Sequence, residues 1–176
     1  MLLFDATLRE LLRWDQAACL HLNRALRYAT LSHAFRALSW LGNGIFWYAL
    51  MLALLVIYKA DAVQPVLHLV FVGAVCTCAY KMIKRGTLRP RPYRAMHSIL
   101  LGAPELDAFS FPSGHTLHAV AFTLVACSHY PALASILVPF TLLTAASRVV
   151  LGLHYPSDVL AGAAIGAAVA VASFRI

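Results

Sequence analysis

Long uncharged apolar stretches decide what this chain can fold into. Residues 41–58 carry no charge, and 62–80 are interrupted only by Gln64 and His68. Residues 117–143 are free of formal charge, with His118 and His129 as polar points and a break at Tyr130-Pro131. The last stretch, 159–174, is almost entirely Ala, Gly, Val and Ile. A hydrocarbon layer about 30 Å thick takes roughly 17–25 helical residues to cross, and these stretches meet or approach that length. A chain of 176 residues is too small to hide so much continuous apolar length in a soluble core. Composition agrees: 61% hydrophobic against 12% charged lies far from a soluble average.

The pattern predicts five membrane-spanning helices, at about 41–59, 64–83, 114–130, 132–151 and 156–174, joined by tight turns at 59–63 and 129–131. Pro131 and Pro156 suit first helical turns, where the missing N–H costs nothing, and Gly152 suits a helix stop. Gly162 and Gly166 form a smooth face for close helix contact, within one chain or between two. Residues 1–40 differ: Leu2, Leu8, Leu11, Leu12 and Trp14 alternate with Arg9, Glu10, Arg13 and Asp15, and Arg24, Arg27 and Arg36 follow. Burying those charges as a sixth span would cost about 2.5–3.5 kcal/mol each on the mildest scale. The expectation is an amphipathic interfacial region, 1–40, followed by a transmembrane catalytic domain, 41–176. The charges in the first stretch also argue against a cleavable signal peptide.

Net charge is +7, but the basic residues do not cover a face as a nucleic-acid binder needs. Lys81, Lys84, Arg85, Arg89, Arg91 and Arg94 fall in one interval between apolar runs, which suits phosphate at a lipid surface. Cys76, Cys78 and Cys127 lie in apolar runs and Cys19 in the N-terminal stretch, without disulfide or zinc spacing. With five spans, the ends of the second and fourth and the starts of the third and fifth emerge on one side of the bilayer. The polar residues at those junctions therefore gather at a single membrane face.

Three segments there carry chemistry. In Lys84-Arg85-Gly86-Thr87-Leu88-Arg89-Pro90-Arg91-Pro92, Lys84 can snorkel from a helix end and Arg91 presents a planar fork to phosphate oxygens. Arg85, Arg89 and Arg94 read as solvated or headgroup-facing cations. Phe111-Pro112-Ser113-Gly114-His115 precedes a helix, where free N–H groups favour an anion; Gly114 allows close backbone approach, Ser113 adds a hydroxyl, and His118 reads as a packing residue. In the third segment, Ser147 to Asp158, His154 and Asp158 are four apart, a spacing that sets a carboxylate against one imidazole nitrogen and leaves the other nucleophilic. These pieces supply what phosphoryl transfer requires. His154 is expected to attack phosphorus, and His115 to protonate the leaving oxygen and then activate water. Lys84, Arg91, Ser113, Gly114 and Arg148 would hold the phosphoryl oxygens. No metal or other cofactor is expected, since the nearby acids are only Glu105, Asp107 and Asp158.

These motifs resemble those of the type 2 phosphatidic acid phosphatase (PAP2) family, which includes undecaprenyl-diphosphate phosphatases, glucose-6-phosphatases and vanadium haloperoxidases. K-x6-RP is similar to Lys84 through Pro92, PSGH to Pro112 through His115, and SR-x5-H-x3-D to Ser147, Arg148, His154 and Asp158. The resemblance implies an all-α, PAP2/haloperoxidase-like membrane bundle. It assigns the nucleophile to His154, its partner carboxylate to Asp158, the general acid to His115 and phosphate binding to Lys84 and Arg91. Many family members have six spans, one more than is read here.

The expected substrate is a lipid phosphate within the bilayer, with undecaprenyl diphosphate first because small bacterial members resemble this chain, and phosphatidylglycerophosphate or phosphatidic acid as alternatives. A lipid phosphotransferase would use the same phosphohistidine, and an inactive scaffold or transporter could share the fold, though it has no reason to keep the full triad. Haloperoxidase chemistry fits poorly with five spans. The expected location is the bacterial cytoplasmic membrane. Arg24, Arg27 and Arg36 add to a basic excess on the catalytic side that would point to the cytoplasm. Because other cations of that face bind substrate, and the family's bacterial lipid phosphatases face the periplasm, the periplasmic side is the expectation. Oligomeric state stays open.

Overall fold

The structure, a computed structural model, describes residues 2–175, and for residues 2–6 and 8 the backbone alone. The side chains of Leu2 and Leu8 therefore lie outside the described residues. The apolar stretches of the sequence become helices because backbone polar groups in hydrocarbon must pair within their own segment. In chain order these are α1 (Leu2–Asn23), α2 (Ala29–Trp40), α3 (Phe46–Tyr58), α4 (Val63–Thr87), the single turn α5 (Pro92–Ala95), α6 (Gly114–His129), α7 (Ala134–Val150) and α8 (Pro156–Ser173).

Three helical runs are long and apolar enough to cross a membrane: Ala29–Thr87, Pro131–Val150 and Pro156–Ser173. The expectation of five separate spans is thus not reproduced by length and hydropathy alone. The first run bends at two points where the backbone leaves helical geometry, so α2, α3 and α4 are separate helices within it, and α6 is 16 residues long. The first bend, Leu41–Ile45, is a distorted π-type turn in which Gly44 takes φ +107°, a conformation open to glycine. The second, Lys59–Ala62, reverses the chain. The anticipated span at 41–59 therefore begins at Phe46, and α2 precedes it across the Leu41–Ile45 turn.

α6 is the central helix. Leu117, Ala119, Ala121, Val125 and Ala126 are buried on its several faces, as expected of a helix apolar all round. α4, α7 and α8 pack around it. α7 is tied to it by a hydrogen bond between Thr123 and Thr141 hydroxyls at 2.6 Å. Phe46 stacks on Phe140 at 3.8 Å, with Trp47 edge-on to Phe46. Large apolar residues such as Leu52, Val56, Leu67, Leu142 and Leu160 face outward, the inversion expected when lipid is the solvent. In α1, Leu11, Leu12 and Trp14 are exposed as the amphipathic reading expects, whereas Asp15, read as part of its polar face, is fully buried.

The α6–α8 contact is the closest in the bundle. A Cβ on Gly162 would stand 2.5 Å from the Ser113 carbonyl oxygen, and one on Gly166 would collide with the Leu117 carbonyl oxygen. The smooth face read from these glycines thus serves packing within one chain. Gly166→Ala should cost about 1–3 kcal/mol, as overpacking does, and lower the thermal midpoint of the purified protein. An unchanged midpoint would mean that α6 and α8 are not in this register.

Candidate active site

The polar residues of the three sequence segments converge on one cavity of about 860 Å³, lined by Lys84, Arg91, Asp107, Gly114, His115, Arg148 and His154. α4 brings Lys84 in its last turn, α6 brings His115 in its first, and α7 brings Arg148 in its last. Arg91 precedes Pro92 in extended backbone, the conformation that proline imposes on its predecessor. His154 sits in the loop between α7 and α8, and Pro156 opens α8 at N1. Asp158 accepts the Tyr155 N–H at 2.8 Å, so it caps that helix while facing the histidine.

His154 is 1% exposed. Its Nε2 faces Arg91 Nη1 at 3.2 Å. A guanidinium can only donate, so Nε2 holds the lone pair and the ring proton resides on Nδ1. Asp158 Oδ2 lies 3.8 Å from that Nδ1, beyond hydrogen-bond reach, and among the described residues Nδ1 has no partner in hydrogen-bond geometry, the Ser110 backbone being the other acceptor beside the ring. Such contacts tighten when substrate binds. Burial, and then the positive charges of Arg148, Arg91 and Lys84, hold the imidazole well below its ordinary range. It is neutral at pH 7, with its nucleophilic nitrogen directed at the cations.

Lys84 and Arg91 are occupied by an internal anion. Lys84 Nζ donates to both Asp107 oxygens at 2.7 and 2.6 Å, and Arg91 Nη2 donates to Oδ1 at 2.9 Å. Burial would raise the Asp107 carboxyl, but these two cations outweigh it and hold it below its usual range. Arg148 differs. It is 2% exposed, has no ion pair among the described residues, and donates from Nη1 to Ser39, while its Nε has no partner. A buried cation so poorly satisfied marks a place for an anion.

Ser113 departs from expectation. Its hydroxyl pairs with Thr116 at 3.0 Å and its N–H donates to the Asp158 carbonyl at 3.0 Å, so it joins α6 to α8 and does not line the cavity. His118, read as a packing residue, bridges the Gly114 carbonyl at 2.8 Å and the Thr77 hydroxyl at 3.1 Å. Arg85 and Arg94 are exposed. Arg89 is not: it spans two buried carboxylates, at 2.6 Å to Asp158 and 2.7 Å to Asp15. Sequence reasoning passed over Arg89, Asp15 and Asp107. The one signal was unspent charge, since an acid on an otherwise cationic face needs a reason to be there.

Two imidazoles, one backed by a carboxylate, and three cations around one cavity are the parts of a phosphate-handling centre at the end of a membrane bundle. The chain belongs to the PAP2 superfamily, whose model matches residues 65–176. Undecaprenyl-diphosphatase BcrC of Bacillus subtilis is 32% identical over 130 residues, covering 72% of this chain and 67% of that protein. Decaprenylphosphoryl-5-phosphoribose phosphatase of Mycolicibacterium smegmatis is 39% identical over 83 residues, 46% of this chain and 43% of that relative, so this match spans under half of each. Among solved structures, Aquifex aeolicus LpxE aligns with TM-score 0.76 and 28% identity, covering 89% of this chain and 93% of that one. The PAP2 type phosphatidylglycerolphosphate phosphatase from Bacillus subtilis shares the fold, with TM-score 0.72 and 23% identity over 92% and 83% of the two chains. Fold and family make this an all-α, multi-pass inner-membrane enzyme of bacterial type, a metal-independent PAP2 lipid phosphatase. Among the described residues no group of three or more His, Cys, Asp and Glu could hold a metal ion.

Because Asp107 occupies Lys84 and Arg91, a phosphate bound at those cations would compete with it. Asp107→Asn should therefore lower the inhibition constant of inorganic phosphate or vanadate by about tenfold, or 1.4 kcal/mol. A constant that is unchanged or higher would show that the carboxylate does not compete.

Proposed function

We propose that this protein dephosphorylates a polyprenyl phosphate or diphosphate, undecaprenyl diphosphate first, through a phosphohistidine on His154. The observation that carries the reading is the common cavity of His115, His154, Lys84, Arg91 and the under-partnered Arg148. Nε2 of His154 donates its lone pair to phosphorus as the bond to the leaving oxygen breaks, and His115 gives that oxygen a proton. His115 then takes a proton from water, whose oxygen bonds to phosphorus as the P–N bond breaks and the lone pair returns to Nε2. Asp158 offsets the positive charge that the ring bears between the two steps. Lys84, Arg91, Arg148 and the free N–H groups opening α6 at Gly114 neutralise the equatorial oxygens, with Ser113 holding that helix start in place.

The rest of the cavity supports a lipid substrate. Below the cations it is lined by Trp47, Met51, Val70, Gly73, Ala74 and Phe122, an apolar wall between α3, α4 and α6 suited to a hydrocarbon tail. The printed names of two relatives, an undecaprenyl-diphosphatase and a decaprenylphosphoryl-phosphoribose phosphatase, favour a polyprenyl tail. Five crossings are part of the same reading: α3 and α4 as an antiparallel pair about the Lys59–Ala62 reversal, then α6, α7 and α8, which brings the catalytic residues to one face. That face is the periplasmic one in this account, with residues 1–40 as an interfacial region beside it and 41–176 as the catalytic bundle.

The test is phosphate release from a panel of purified lipid phosphates without added divalent metal. His154→Ala should reduce kcat by at least about 10³-fold and His115→Ala by about 10²- to 10⁴-fold. A His154→Ala enzyme with parental turnover would sink the mechanism, and release from acyl but not polyprenyl substrates would sink the tail assignment.

A further inference from the structure

Asp15 lies in α1, a helix whose sequence reads as interfacial, yet it is 0% exposed. Its Oδ1 accepts the Ser157 N–H at 2.9 Å, and its Oδ2 accepts Arg89 Nη2 at 2.7 Å and the Ser157 hydroxyl. Arg89 turns its other nitrogen, Nη1, to Asp158 Oδ1 at 2.6 Å and to the Ser157 hydroxyl at 2.8 Å. The guanidinium lies over the Tyr155 ring, 4.0 Å from its centroid. A chain of ion pairs, Asp15–Arg89–Asp158, thus runs from the N-terminal helix to a carboxylate oxygen 3.8 Å from the imidazole that faces the cavity.

Anchorage of α1 alone does not call for this arrangement, because well-packed apolar residues hold a helix at least as well as buried ion pairs. What distinguishes it is where the chain of ion pairs ends. Arg89 is the only cation paired with Asp158 among the described residues. An Arg89 devoted wholly to Asp158 would cancel the carboxylate that faces His154 Nδ1. With Asp15 on its other edge, Arg89 is shared, and the group of three keeps a net negative charge beside the imidazole.

We propose that Asp15 and Arg89 are positioning residues for the nucleophile: Arg89 aims the Asp158 carboxylate at His154 Nδ1, and Asp15 holds Arg89 and preserves the negative charge behind the ring. The amphipathic N-terminal helix is then a working part of the active centre. This inference rests on His154 being the nucleophile, as the preceding reading has it.

Its signature is electrostatic. The groups facing His154 are Lys84 from α4, Arg91 and Asp107 from the connecting loop, His115 from α6, Arg148 from α7 and Asp158 from α8. Cys19 from α1 contacts its carbonyl. Asp15 and Arg89 stand behind Asp158. Removing the Asp15 charge makes the imidazolium less favourable and moves the acid limb of the pH–rate profile to lower pH; removing the Arg89 charge does the opposite. Loosened packing has no reason to yield shifts of opposite sign.

The experiment follows phosphate release from farnesyl diphosphate by the full-length protein in detergent, from about pH 4 to pH 9. It compares the parent, Asp15→Asn, Arg89→Gln, Arg89→Lys and His154→Ala. Expected are kcat values about tenfold lower for Asp15→Asn and Arg89→Gln with little change in KM, and acid limbs displaced in opposite directions. Arg89→Lys, which restores the charge without the planar bridge, should keep the parent's limb at reduced kcat. Should Asp15→Asn not fold, the contrast of Arg89→Lys with Arg89→Gln decides. Limbs that stay put, move together, or move equally in both Arg89 variants overturn the inference while His154→Ala is inactive. An active His154→Ala overturns the preceding reading and this one with it.

Discussion

The active centre exists because α6 and α8 touch backbone to backbone. His115 belongs to the first turn of α6, while His154 and Asp158 stand at the start of α8. Neither helix carries a complete site. Gly162 and Gly166 let α8 lie against the Ser113 and Leu117 carbonyls, and the Ser113 N–H clasps the Asp158 carbonyl at 3.0 Å. In lipid, helix association depends on packing and on interhelical hydrogen bonds, because the tails are as apolar as the helices. Small residues are therefore what brings the two half-sites together, and side chains of ordinary size there would separate the histidines.

The second constraint is charge. Lys84, Arg91 and Arg148 are buried side chains lining one largely apolar cavity, where unpaired cations are costly. The bundle meets that cost unevenly: Asp107 takes Lys84 and Arg91, and among the described residues Arg148 has only the Ser39 hydroxyl as a side-chain partner. Burial and then the same cations keep His154 neutral. One arrangement thus prepares both the anion site and the nucleophile, and the phosphate of the proposed substrate would complete an electrostatic set that the protein alone leaves unbalanced.

Much of this was legible in the sequence, for a physical reason. Apolar length reports crossing helices directly, and Pro156 and Gly152 punctuate them where the structure does. The three motifs are local, so the junctions that gather Lys84, Arg91, His115, Arg148, His154 and Asp158 could be inferred from alternation of the spans. The span count was less secure, because the chain turns at Gly44 and at Lys59–Ala62 over so few residues that the helices on either side follow one another almost without a gap. Hidden entirely was the pairing of charges across long sequence distances. Asp15 and Ser157 are separated by 142 positions, and no periodicity signals that a carboxylate in an amphipathic helix points inward. The partner of Ser113 was hidden for a related reason: a hydroxyl at a helix start can serve an anion or a neighbouring threonine, as it does here with Thr116, and spacing does not distinguish them.

The central claim is that a phosphoryl group is held by nitrogen at His154 Nε2. The most direct measurement is rapid quench of the full-length enzyme during turnover, followed by peptide mass spectrometry under conditions that preserve phosphohistidine. The account predicts the mass of one phosphoryl group on the peptide containing His154, lost in acid and absent from His154→Ala. A phosphoryl group on any other residue, or none on an enzyme caught in active turnover, would contradict it.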